Sequence, residues 1–349
     1  MNKKLQADRY VHTLAEEQER KYKFKIRNQG EIKSWQQQFR KELINILGIN
    51  EIKKRCGEDL EPVCLDRVEL DDHIREEWEI TSEPGYQVPF YLLKPIDQKK
   101  ALPLVLTPHG HGKAGKDTYA GIAHNQKQKE KIKEGERDIA LQAVREGYIA
   151  IAPDVRGFAG TRLKKDIEED NISSCRTMQM HALLFGRTLI GERVWDIIRL
   201  IDFAKTQDEI NTDKIMITGN SGGGTNSLFA GAVDTRIDVV IPSCYFCTFE
   251  DSIGSIYHCE CNYIPGIMKL GEMYEVAGLI APRPFLAVAG KEDPIFPLKG
   301  VKKAFKKLKK IYEVAQVSQK CELYIGEGGH RYYKERVWPF VNKWFEMEN

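Results

Sequence analysis

The segment Asp213-Lys-Ile-Met-Ile-Thr-Gly-Asn-Ser-Gly-Gly-Gly-Thr-Asn sets a serine in the pattern Gly219-Asn220-Ser221-Gly222-Gly223, between an apolar run and the start of a helix-like stretch. A sharp strand-to-helix turn here would strain the backbone at Ser221 and lift its hydroxyl clear of a sheet. Glycine suits positions 219 and 223 because side chains there would collide where strand and helix cross. The N–H of Gly222, at the start of the helix, is then placed to meet negative charge on a carbonyl oxygen that Ser221 attacks. The chemistry predicted is acyl transfer through a serine nucleophile.

Such a serine needs a base, and the base needs an orienting acid. Where this turn is used, acid and histidine follow the nucleophile in that order. Asp293 lies in Lys291-Glu292-Asp293-Pro294, after the strand-like run 284–290, and His330 ends Gly326-Glu327-Gly328-Gly329-His330, after the last such run. We expect Ser221, Asp293 and His330 to form the catalytic set, with Glu292 a poorer orienter. The second oxyanion donor is expected in His109-Gly110-His111-Gly112, at the backbone N–H near His111, so that Gly222 and His111 form the oxyanion hole.

Two other groups of residues raise a metal reading. His109 and His111 have no neighbouring carboxylate or third histidine in sequence to complete a site. Cys244, Cys247, Cys259 and Cys261 run as C-x-x-C followed by C-x-C, and the second spacing is tighter than structural zinc sites usually use. The expectation is reduced thiols in core or pocket wall, with no metal and no organic cofactor.

A sheet must carry these residues. Short apolar runs at Leu102–Thr107, Tyr148–Pro153, Lys214–Gly219, Val239–Pro242, Phe285–Ala289 and Cys321–Ile325 alternate with amphipathic stretches, the pattern of a parallel sheet covered on both faces. Helices are predicted over Val194–Ala204 and Val301–Tyr312. Between Leu65 and Pro95, three strand-like runs broken by Asp71-Asp72 and Glu83-Pro84-Gly85 predict antiparallel edge strands. Trp35, Phe39 and Leu43, continued by Ile46 and Leu47 and stopped at Gly48, predict an N-terminal helix. The organisation expected is a helical extension over 1–60 packed on the core and a catalytic α/β domain over 61–349. A homo-oligomer formed through a dimerisation arm is the second reading of that helix. Pocket walls are expected from Phe158–Ile190 and Cys244–Met273, and Asp154-Val155-Arg156-Gly157 reads as a turn that braces the site.

Composition narrows the partners. The 349 residues carry 53 Lys and Arg against 51 Asp and Glu, a net charge of +2 that makes no general field for nucleic acid or acidic membranes. The lysines of 302–310 read as the solvated face of an amphipathic helix whose Phe305 falls on the apolar side, which leaves no aromatic residue on the lysine face to stack bases. The first residues are charged throughout and offer no secretory h-region, and no long apolar span occurs, so a cytoplasmic location is expected.

His109-Gly-His-Gly, Asp154-Val-Arg-Gly, Gly186-Arg-Thr-Leu-Ile-Gly-Glu-Arg-Val-Trp-Asp, the serine turn, Ile280-Ala-Pro-Arg-Pro, Asp293-Pro and Gly329-His330 together resemble the α/β-hydrolase superfamily. Within it, the chain is similar to the dienelactone-hydrolase-like and acetyl xylan esterase-like branch of bacterial esterases, from about residue 35 onward. The resemblance implies an α/β-hydrolase fold and a cofactor-independent serine esterase acting on a small-molecule ester, such as an O-acetylated carbohydrate. A serine stands where true dienelactone hydrolases have cysteine. Arg156-Gly157-Phe158 and Gly219-Asn-Ser-Gly-Gly stand where cephalosporin C and acetyl xylan deacetylases have Arg-Gly-Gln and Gly-x-Ser-Gln-Gly. A prolyl-oligopeptidase-like peptidase and a non-catalytic binding protein of the same fold are the alternatives. The N-terminal region is too short for a propeller, and an intact triad argues against pure binding.

Overall fold

Runs such as Leu104-Val105-Leu106 and Ile215-Met216-Ile217 lack polar alternation because both faces of their strands are covered. A computed structural model describes residues 8–346 of the chain. Leu104, Leu106, Ile215 and Ile217 join a core on one face of the sheet, and Val105 and Met216 join a second core on the other. The first core takes in the helices Gln29–Leu47, Leu189–Ala204 and Leu298–Val314; the second takes in Ile139–Arg145 and Val337–Phe345.

The strands are β1 (Val63–Glu69), β2 (His73–Glu83), β3 (Tyr86–Pro95), β4 (Leu102–Leu106), β5 (Ile149–Pro153), β6 (Ile210–Asn220), β7 (Val239–Ser243), β8 (Phe285–Gly290) and β9 (Cys321–Gly326). They form one sheet in the order β1-β2-β3-β5-β4-β6-β7-β8-β9. β1, β2, β3 and β5 pair antiparallel in succession, and every pairing from β5 through β4 to β9 is parallel. This is the mostly parallel α/β sheet with an antiparallel edge that the strand pattern predicts. The chain leaves β4 toward β5 on one side, whereas β6 lies on its other side. The order therefore reverses between β4 and β6, and at such a switch point the loops leaving the strand ends part and open a crevice.

Two boundaries differ from expectation by four residues or more. β6 begins at Ile210, where Ile210 and Asn211 pair with Leu102 and Pro103 before a register shift, so the polar stretch Asn211–Lys214 hides its first half from a search for apolar runs. The helix expected from Val194 begins at Leu189, because the Thr188 side chain caps it by accepting the Gly191 N–H at 3.0 Å.

The helix Gln29–Leu47 starts at an Asn28 cap and stops at Gly48, whose φ of 78° favours glycine; a Cβ there would lie 2.5 Å from the Arg187 backbone. Phe39, Leu43 and Leu47 are fully buried. Gln36 donates to the carbonyls of Gly278 and Ala281, and Arg40 to those of Ala232 and Leu279. Among the described residues no helix is long and apolar enough to cross a membrane.

Arg156 ties the turn after β5 to the helix Leu189–Ala204. Its guanidinium grips Asp196 through two bonds of 2.6 and 2.7 Å, reaches Glu83 at 2.7 Å and lies 3.8 Å over the Tyr86 ring. Both partners of the Arg156–Asp196 pair are buried. Removing one member leaves the other charged in the interior, which costs more than the pair contributes. Asp196→Ala is expected to lower stability by about 3 kcal/mol; thermal unfolding of the variant checks this, and an unchanged transition would contradict the brace.

Candidate active site

Ser221 sits between β6 and the helix Gly222–Val233 with φ 57° and ψ −118°, a conformation that costs energy for any residue with a Cβ. The surroundings allow no relaxation. A Cβ on Gly219 would lie 2.3 Å from the Pro108 carbonyl and 2.9 Å from the Gly223 backbone, and one on Gly223 would lie 2.2 Å from the same carbonyl. The Ser221 N–H donates to the Ser243 carbonyl at the end of β7, and the Asn220 N–H donates to the Tyr119 hydroxyl at 3.0 Å. The turn is thus pinned from both sides. The Ser221 hydroxyl has no hydrogen-bond partner among the described residues.

β8 ends at Gly290, against which the His330 loop packs so closely that a Cβ would meet the Gly329 carbonyl at 2.1 Å. That contact sets His330 beside the loop after β8. His330 Nδ1 and Asp293 Oδ2 are 2.8 Å apart, and the other Asp293 oxygen accepts the N–H groups of Ile295 and Phe296 at 2.9 and 3.2 Å. Burial raises the carboxyl's affinity for a proton, but the His330 contact and the two backbone donors outweigh it and hold Asp293 below the ordinary aspartate value. Asp293, and not Glu292, is the carboxylate that pairs with the imidazole. The Phe296 ring lies parallel to His330, with centroids 6.0 Å apart.

The loop after β4 lies directly on the serine turn. A Cβ on Gly110 would sit 2.6 Å from the Asn220 carbonyl, and one on Gly222 would sit 3.0 Å from His111 Nδ1. Its two histidines part company. His109 is buried, with Nδ1 2.7 Å from the Gly110 carbonyl and Nε2 accepting the Val155 N–H at 2.9 Å. Those bonds define a neutral ring with its proton on Nδ1, and burial lowers its affinity for a second proton. His111 turns the other way and edges onto the Phe158 ring at 4.9 Å between centroids.

Ser221, His330, His111 and Gly110 line one cavity of about 390 Å³, within the range of small-molecule sites. Its walls only partly follow expectation. Ile256–Cys259 contributes, as the reading of Cys244–Met273 predicts. The segment Phe158–Ile190 does not reach the cavity surface, and Thr118, Tyr119 and Arg137 stand there instead. Phe158 is spent on packing under His109, His111 and Arg193.

His258, which the sequence reading passed over, also lines the cavity. Burial, then the neighbouring His111, pushes its pKa down to about 4, and its Nδ1 is buried without a hydrogen-bond partner. It faces the site as a neutral ring. Tyr257 at the rim is 87% exposed and donates its hydroxyl to Glu260 at 3.0 Å.

The cysteine grouping drawn from sequence is not the one the fold makes. Cys247 packs near Pro297 and Met273, and Cys244 lies beside Asp293 and His330. Cys259 and Cys261 are joined instead by Cys175 and by His111. All eight cysteines are free thiols.

Comparisons with known proteins place the family and the fold. The model of a family described as the Abhydrolase family matches residues 2–330. YtaP of Bacillus subtilis (strain 168), named as an inferred hydrolase, is 24% identical over 321 residues, covering 87% of this chain and 98% of that one. The 4-O-methyl-glucuronoyl methylesterase 1 of Wolfiporia cocos (strain MD-104) is 27% identical over 157 residues, 36% of this chain and 38% of that one. Among solved structures, an inferred acetyl xylan esterase of Bacteroides fragilis NCTC 9343 superposes with a TM-score of 0.81 at 21% identity, over 98% of this chain and 95% of that one.

Proposed function

The chain belongs to the Abhydrolase family, and from that premise we propose that it is a serine esterase acting on O-acetylated carbohydrate. The observation that carries the chemistry is that His330, paired with Asp293, lines the same cavity as a strained, unpartnered Ser221. With its Nδ1 proton held by Asp293, His330 keeps the Nε2 lone pair free to take the Ser221 proton as the hydroxyl attacks the ester carbonyl. The oxyanion then forms between the N–H groups of Gly222 and His111. His330 passes the proton to the departing sugar hydroxyl, leaving an acetyl-serine, and water repeats the sequence to release acetate. A neutral His258 adds no charge that would repel the imidazolium formed at His330.

The carbohydrate part of the reading rests on the relatives named for sugar-ester substrates and on the rim. A sugar ring presents a flat C–H face, which suits an exposed aromatic such as Tyr257, and polar edges, which suit Arg137. The eight free thiols fit a cytoplasmic location.

The test is a substrate panel: acetylated xylo-oligosaccharide, a 4-nitrophenyl acetate, a methyl uronate and an aminoacyl amide. The acetylated sugar is expected to have the highest kcat/KM. Tyr257→Ala should raise its KM about tenfold, the equivalent of one lost aromatic contact, and leave 4-nitrophenyl acetate unchanged. Preference for the amide would replace the esterase by a peptidase, and preference for the uronate would move the ester bond to the sugar's own carboxyl.

A further inference from the structure

Beneath the outer edge of the cavity, three segments far apart in sequence bring four soft donors together. His111 comes from the loop after β4, Cys175 opens the helix Cys175–Leu184, and Cys259 and Cys261 flank the start of the single turn Glu260–Asn262. Their ligand atoms all lie within 4.8 Å of one another. Cys261 Sγ is 3.3 Å from Cys259 Sγ and 3.5 Å from His111 Nε2. Sulfur ligands around a tetrahedral ion with bonds of about 2.3 Å stand about 3.8 Å apart, so the donors already have the spacing of a coordination shell. The sulfurs are too far apart for a disulfide, whose bond is about 2.05 Å.

The tight C-x-C spacing is accommodated because Cys259 is extended, at φ −58° and ψ 133°, before the chain turns at Glu260. That change of backbone sets both sulfurs on one side.

A second observation is electrostatic. The Arg193 guanidinium is buried, donates to the Arg156 carbonyl and reaches Cys175 Sγ at 3.2 Å. No carboxylate lies within ion-pair distance of it among the described residues. Three neutral thiols would leave this cation without an anion in contact, which a buried charge does not tolerate cheaply. Three thiolates and a neutral imidazole around a divalent ion carry one net negative charge, which Arg193 matches.

We infer that Cys175, Cys259, Cys261 and His111 form a Cys3His site for a structural zinc ion. Thiolate-rich tetrahedral donor sets select zinc among the common divalent metals. With four protein donors the shell is closed, so the ion holds structure and takes no part in the chemistry at Ser221. Its effect is mechanical: it ties the His111 loop, whose Nδ1 side rests on Gly222, to the segment that carries Tyr257 and His258.

The experiment is metal analysis of the full chain purified under reducing conditions, equilibrated with zinc and freed of loosely held ion. About one zinc per chain is expected. It should be lost in Cys259→Ser and in Cys175→Ser, and retained in Cys64→Ser, a change at an exposed cysteine outside the group. Should the serine variants fail to fold, the unmodified chain decides through cobalt. The cobalt(II) form should show strong tetrahedral d–d bands and thiolate-to-metal charge transfer, and zinc should abolish both. Absence of bound zinc, retention of zinc by Cys259→Ser, or a weak octahedral cobalt spectrum would each overturn the assignment. None of these readouts depends on the substrate or on the esterase reading.

Discussion

Ser221→Ala is expected to lower kcat/KM for an acetyl ester by about 10⁶-fold and to abolish covalent labelling by a fluorophosphonate. The size follows from what alanine removes and what it keeps. It removes the only atom that can form the acyl-enzyme, leaving catalysis to binding and oxyanion stabilisation, which together are worth about 10³–10⁴ over water in such sites. It keeps the Cβ, and therefore the strain of φ 57°, and it breaks no hydrogen bond of the hydroxyl among the described residues. The unfolding transition should accordingly stay where it is. Ser221→Gly would be equally inactive but more stable, by about 1 kcal/mol, because glycine accepts that backbone geometry freely. Turnover by Ser221→Ala within tenfold of the unmodified chain would remove the nucleophile from the proposal.

That substitution probes the part of the site most legible in the sequence. A nucleophile turn is local: strand, glycines, serine and helix start occupy one short segment, and each residue has its own steric reason. The close approaches at Gly219 and Gly223 are the collisions that segment predicts. Asp293 and His330 are legible at one remove, because each follows a strand whose apolar run marks the sheet edge where its loop must emerge. The run itself is readable because burial on two faces leaves no polar residues to blur it.

What the sequence hides is contact between segments that have no common period. His111 and Cys261 are 150 positions apart, and nothing local to either points to the other. Cys175 stands alone, with no partner spacing around it, so a search for paired cysteines joins Cys259 and Cys261 to the nearer Cys244 and Cys247. The fold separates those pairs by sending Cys244 to the end of β7, under the Asp293–His330 side of the site. Phe158–Ile190 misled for a related reason. Its length suits a wall, but Phe158 is consumed in packing beneath the two histidines, Phe185 lies exposed away from the cavity lining, and Cys175 packs with Phe158 and Cys261. Arg156 and Asp196, by contrast, belong to two motifs that could each be singled out in sequence, and the buried pair between them is the physical link that joins the motifs.

The aspartate tests orientation separately from proximity. Asp293→Asn is expected to lower kcat by about 10⁴-fold with little change in KM or in stability. Asp293 Oδ1 accepts two backbone N–H groups, from Ile295 and Phe296, and an asparagine oxygen can keep both. The amide nitrogen must then occupy the Oδ2 position, 2.8 Å from His330 Nδ1. It can only donate there, so the imidazole has to accept at Nδ1 and carry its proton on Nε2, facing Ser221. A ring in that tautomer presents no lone pair to the serine hydroxyl, although every heavy atom stays in place. The nearby Cys244 offers no anion in its place, because burial is the first cause that pushes its thiol up to about 12, and that burial persists in the variant. Asp293→Ala should differ in a telling way: it leaves the two backbone donors without an acceptor and so loses stability as well as rate, by about 1–3 kcal/mol. Steady-state kinetics and thermal unfolding of the two variants side by side distinguish these effects. An asparagine variant that retains more than a tenth of the rate would show that proximity of His330 to Ser221 suffices without a fixed tautomer, and the orienting role would pass from Asp293.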